Sequence, residues 1–203
     1  MSTLEVNSIQ PLSSGTTITL GANGKTLSIP SGCTISNSGT ASGFGKLGQI
    51  QSTTLSSTLS FTSSTTSTFA DISGLSVNIT PTATSSKILI MFLLNIAVGG
   101  GSKHMRLVRD STAISIGDAG SSNQIQSTIS SRPTSSNYDL DISPLAGNFL
   151  DSPSTTSQVT YKIQATLGAT YNNTIYINRS VSNSNNDFHP RPVSTITVME
   201  VLA

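Results

Sequence analysis

A chain of 203 residues with a net charge of +1 and only 9% charged side chains offers no basic stripe to neutralise phosphates. Nucleic acid and anionic membranes are therefore not expected partners, and a single cysteine excludes an intrachain disulfide framework. Ser and Thr make the surface instead, and β-branched Thr and Val fit a pleated strand better than a helix. Strand is the expected element throughout. Met1 leads into polar residues with no basic and apolar leader, so no signal peptide is expected. The longest apolar run, Ile88–Leu94, is too short to span a bilayer. Synthesis in a cytosol follows from these features.

Residues 1–45 carry apolar residues in pairs two apart: Leu4/Val6, Ile18/Leu20, Leu27/Ile29 and Cys33/Ile35. Gly, Asn, Pro and Ser punctuate between them, so each pair reads as a very short strand followed by a turn. Strands this short cannot bury their own apolar face. Three chains winding about one axis would bury it, each pointing Leu4, Val6, Ile18, Leu20, Leu27, Ile29 and Ile35 inward; a loose arm draped over a partner is the alternative. Four glycines between Gly39 and Gly48 mark a linker, which divides an anchor or shaft (1–45) from a head (46–203). Phe44 in that linker is placed to plug the base of the head.

From Gln49 onward strand signals recur with turn chemistry between them. Leu55–Phe61 alternates, and Leu75, Val77 and Ile79 alternate up to Pro81. Lys87–Val98 is apolar on both faces, as a strand would be between a sandwich core and a subunit interface. HMRLVRDSTAISIG reads as a hairpin with Asp110-Ser111 at its tip. Asn123–Ile129, Tyr138–Ile142, Val159–Leu167, Thr174–Arg179 and Val193–Val201 complete the set. Strands of this number and spacing predict an antiparallel jelly-roll sandwich, trimeric and all-β, behind the short N-terminal β segment.

Residues able to do chemistry are few. His104, at a strand start, and His189, in the loop DFHPRP, are the available neutral-pH bases. Apart from Asp187 two residues before His189, neither has a Cys, His or carboxylate at metal-ligand spacing, so both read as locally hydrogen-bonded histidines. Asp139, Asp141 and Ser143 imitate the start of a calcium loop, but Pro144 replaces the turn glycine and Leu150 the bidentate glutamate. They read as two carboxylates on one face of a solvated strand. No catalytic, cofactor-binding or metal residue is expected, and the chain is not expected to be an enzyme. Arg106, Arg109, Asp110, Asp118, Asp151, Arg179 and Arg191 draw notice because charges are so rare. Arg179, on one face with Ile175 and Ile177, is the candidate for a buried or interfacial ion pair, with a rim arginine as the alternative. The sequons at Asn78, Asn172 and Asn178 are chance matches in a chain rich in Asn, Ser and Thr. Gly117–Asn123, Ser130–Asn137 and Ser182–His189 are long, polar, Asn-rich loops whose side chains can hydrogen-bond sugar hydroxyls, and are equally what any soluble loop looks like.

LSVNITPTATSSKILI, MRLVRDSTAI, FLDSPSTTSQVTYKI, YINRSV and RPVSTITVMEVLA, with MSTLEVNSIQ and GTASGFGKLGQI before them, resemble one family along nearly the whole chain. It is the family of short trimeric tailed-phage virion-surface proteins with a jelly-roll C-terminal head. More distantly, the strand order resembles trimeric heads of the complement and tumour-necrosis-factor type, which implies a C-terminal strand near a threefold interface. The resemblance implies a tail or accessory fibre on the virion surface, a homotrimer held to other virion proteins by residues 1–45, with a head that can meet a host surface glycan. A trimeric capsid decoration protein fits the same features.

Overall fold

The computed structural model describes residues 31, 47–62, 68–121, 124–132, 139–168 and 174–202. All of these except Ser31 belong to the unit Gly45–Ala203. The apolar pairs from Leu4 to Ile35, and Phe44, lie outside the described residues. Among the described residues every regular element is a strand: β1 (Leu47–Leu55), β2 (Leu59–Thr62), β3 (Ala70–Ile79), β4 (Lys87–Val98), β5 (Lys103–Arg109), β6 (Thr112–Ile114), β7 (Ile129–Ser131), β8 (Ser143–Asp151), β9 (Val159–Leu167), β10 (Thr174–Ile177) and β11 (Ser194–Val201).

Some of these strands are halves of longer lines. β1 and β2 run in series along β11 and β10, with Leu55 opposite Ser194 and Leu59 opposite Ile177 on either side of a break. β7 and β6 likewise share one edge of β5. With each such pair taken as one line, sheet A is ordered β8, β4, β10/β11, β1/β2, and sheet B is ordered β3, β9, β5, β6/β7. In chain order these lines are six, three, eight, one and two, seven, four, five. That interleaving of antiparallel lines is a jelly roll, as the strand spacing predicts.

Alternation explains the core. Ile88, Ile90, Leu94, Ile96 and Val98 of β4 are buried with Met105 and Leu107 of β5 and Tyr161, Ile163 and Leu167 of β9. In β3 the period slips: Ile72 and Leu75 are both buried although three positions apart. The register shift between Asp71 and Ser76, with Gly74 at a φ of 77°, returns Leu75 to the inner face. Gly74 is needed there because the left-handed region is costly for other residues.

Several strand limits differ from the sequence expectation. Leu55–Phe61 is broken between β1 and β2. The hairpin tip is at Asp110-Ser111 as expected, with Arg109 paired to Thr112 and Asp110 at a φ of 54°. Asn123–Ile129 is replaced by the short β7, and Tyr138–Ile142 by a turn at Asp139-Leu140 within its described part. The strand begins instead at Ser143 and runs through Pro144. β8 is an edge strand whose neighbour in sheet A is β4, so a missing N–H at Pro144 need not break a ladder. Asp139 and Asp141 therefore do not share a strand face.

Candidate functional site

The two outer faces of the sandwich are chemically unlike. On sheet A, directly opposed residues fix which side chains face out: Leu150–Leu89–Met199–Ile50 form one row across the strands, and Asn148–Met91–Thr197–Ser52 the next. Ala146–Leu93–Thr195–Thr54 form a third row, and Val201 opposes Leu47 beyond them. Leu47 (56%), Ile50 (53%), Met91 (47%) and Leu150 (46%) are exposed there, half of the eight large apolar side chains that are exposed among the described residues. A groove of about 510 Å³ runs over Met91, Leu93, Ala146, Thr195, Thr197 and Met199, where small side chains alternate with large ones. Lys87, opposite Val201, brings a positive charge to the end of this surface. The doubly apolar character of Lys87–Val98 thus comes from a filled core on one side and a bare apolar face on the other.

The chain covers the other end of the same face itself. Ala97 is fully buried, and the Asn95 amide donates to the Val193 carbonyl at 2.6 Å. Asn178 organises this corner. It is fully buried at a φ of 57°, its Nδ2 donates to the carbonyls of Leu55 (2.7 Å) and Ser57 (3.0 Å), and its Oδ1 accepts from Ser194 Oγ at 2.6 Å. One amide therefore ties together the breaks in both broken lines of sheet A. The left-handed turn at Asn178 also ends β10 at Ile177, so Arg179 does not continue the face of Ile175 and Ile177. Its guanidinium donates to the carbonyls of Ser180 (2.9 Å) and Val181 (2.6 Å) and stands 4.8 Å from the centre of the Tyr176 ring. Among the described residues Arg179 forms no ion pair. The burial of Asn178 also rules it out as a glycan acceptor in the folded chain.

Sheet B presents a polar outer face. Lys162 donates to Asp71 at 2.8 Å, Gln164 donates to the other Asp71 oxygen at 2.5 Å, and Arg106 donates to Gln164 at 2.7 Å. These contacts cross β3, β9 and β5 in one connected row, and Arg106 lies 4.3 Å from the Phe69 ring centre. The Lys162 hydrogen bond, then that of Gln164, holds the Asp71 carboxyl below its ordinary value. His104 on the same face lies with Nδ1 2.8 Å from Ser130 Oγ, and burial lowers its pKa.

Several of the rare charges fasten the sandwich. Arg109 Nη1 donates to both oxygens of the buried Asp151 (3.0 and 2.9 Å), which also accepts from Tyr161 OH at 2.7 Å. Asp151 belongs to sheet A, and Arg109 and Tyr161 to sheet B, so the cluster bolts one layer to the other. The pair lies within the chain. Burial, reinforced by the Asp151 carboxylate, pushes the Tyr161 phenol far up. Lys103, fully buried, donates to Asp141 at 2.9 Å and to Ser143. With an ammonium already on it, Asp141 is an unsuitable calcium ligand. Glu200, also fully buried, accepts from the Thr82 amide (2.6 Å) and hydroxyl (2.7 Å) and from Gln49 (3.0 Å). Burial pushes its carboxyl up, but the hydrogen bonds from Gln49 and Thr82 outweigh it and the net shift is downward.

His189 is the hub of a loop. Its Nδ1 donates to the Ser182 carbonyl (3.0 Å), and its Nε2 lies 2.9 Å from Ser184 Oγ. Among the described residues no group of three His, Cys, Asp or Glu side chains could hold a metal ion, and no helix is long and apolar enough to cross a membrane.

No protein-family model and no curated protein matches the sequence. Among solved structures, a chain in the structure of the infectious bursal disease virus Gx strain is similar at 14% identity and a TM-score of 0.33, over 76% of this chain. The match spans 37% of that viral chain.

Proposed function

We propose that the chain is a virion structural protein, a homotrimer whose heads pack through the bare part of the sheet A outer face, with residues 1–45 as the anchor to other virion proteins. The observation that carries the assembly is the concentration of exposed apolar side chains on that one face. Contiguous apolar surface of this kind marks an interaction site. β11 contributes Met199 and Val201 to it, which agrees with a C-terminal strand near a threefold axis. The virion setting comes from the sequence resemblance. A tail or accessory fibre is favoured over a capsid decoration by the exposed polar residues 183–187, whose side chains suit a host surface. Catalysis has no part in this reading.

The test of the anchor is made in the full chain. Ile18→Asp combined with Leu27→Asp is expected to leave a soluble, β-rich head that no longer incorporates into particles, because charges would meet near one axis without counterions. Normal incorporation of that variant would reverse the assignment of ends.

A further inference from the structure

We infer that the loop end formed by residues 178–193 binds a saccharide, with the Phe188 ring as its stacking platform. Phe188 is 68% exposed, more than any other large apolar side chain among the described residues. Loose loops often expose such a ring by accident, but this loop is held. Ser180 Oγ donates to the Ser182 carbonyl (2.7 Å), Arg191 donates to Asn183 Oδ1 (2.6 Å), and the Phe188 amide donates to Asn186 Oδ1 (2.7 Å). His189 closes the loop from inside through Ser182 and Ser184, and the Ser182 amide ties it to the Asp139 carbonyl at 2.9 Å. Side chains that could cover the ring are instead spent on fixing the backbone that lifts it out.

The surroundings of the ring choose the ligand class. Asn183, Ser184, Asn185, Asn186 and Asp187 precede it and are all exposed. A pyranose has an apolar C–H face that packs on an aromatic ring and a rim of hydroxyls that pair with amides and carboxylates. Asn183 and Asn186 each use the carbonyl end of the amide within the loop, which leaves their NH₂ groups as donors to a ligand. Arg191 and Arg179 are both engaged with loop oxygens, so a phosphate or other strong anion finds no cluster of cations. Because the loop fixes the backbone beneath the ring in advance, little backbone ordering is needed on binding.

The inference rests on the fibre reading only for the source of the sugar, a bacterial surface; a monomer would carry the same loop. The test applies the full chain, Phe188→Ala and Phe188→Trp to an array of purified bacterial capsular polysaccharides and O-antigens, with the solution mass of each protein measured alongside. The wild-type chain should bind at least one polysaccharide, Phe188→Ala should bind it roughly tenfold more weakly, and Phe188→Trp should restore binding, all at unchanged mass. Failure of the wild type to bind any of them, or equal binding by Phe188→Ala, overturns the inference. A change of mass in Phe188→Ala also overturns it, by making the ring a subunit contact. Binding by a chain that proves monomeric would leave this inference standing and remove the trimer.

Discussion

Sheet A and sheet B share one core and turn opposite chemistries outward. The B face runs Asp71, Lys162, Gln164 and Arg106 across three strands in a connected polar row. The A face runs Leu150, Leu89, Met199 and Ile50 across four. Both alternate correctly, so strand periodicity alone cannot tell them apart. What differs is the outward half of the alternation: it suits water on B and, in the proposed assembly, other protein on A. The chain even covers the Asn95–Val98 end of the A face with its own loop and leaves the rest bare, as expected if a second copy completes the cover.

The largest effect should come from placing a charge on the bare face. Leu150→Glu lies on a side chain already 46% exposed, so the fold should survive while the assembly loses its mass by light scattering. Desolvating such a charge without a partner costs several kcal/mol. The same charge on the other face, Asn78→Glu, should leave the mass unchanged. Equal loss from both substitutions would erase the distinction between the faces.

Next in size is the bolt between the sheets. Asp151→Ala leaves Arg109 and the buried Tyr161 hydroxyl without their acceptor and should cost about 2–4 kcal/mol in denaturant unfolding. Tyr161→Phe should cost about 1 kcal/mol. A smaller, pH-dependent effect belongs to Glu200. Its folded pKa lies below the ordinary 4.5, so its contribution is fully present above that value and is lost as pH falls through the folded pKa. Melting temperatures should be level above about pH 5 and fall below it, and Glu200→Gln should flatten that acid limb. Smallest is Asp71→Asn on the exposed B face, at most about 1 kcal/mol and reduced by salt.

Much of this was legible beforehand. Lys87–Val98 and Val159–Leu167 coincide with β4 and β9, and the Asp110-Ser111 hairpin lies where its residues place it. The edge strand β8 was hidden by Pro144, which looks like a terminator unless its edge position is known. The break between β1 and β2 was hidden because the Asn178 amide that meets its carbonyls lies more than a hundred residues away. Rarity did single out Arg109 and Asp151, but pairing across two sheets requires the topology. Glu200 and Lys103 are fully buried, and nothing local in the sequence marks a buried charge. Phe188 lies in a loop read from its polar residues, and its exposure becomes visible only in the structure.

The covered-face account is tested most directly by the side chain at its centre. Met91 is 47% exposed in the single chain, whereas Met105 is fully buried in the core. Peroxide oxidation of the intact full-length protein, read by peptide mass spectrometry, compares the two thioethers in one sample. If other copies cover the outer face of sheet A, Met91 reacts as slowly as Met105 in the native assembly and becomes fast in Leu150→Glu. Rapid oxidation of Met91 in the intact wild-type assembly would contradict it.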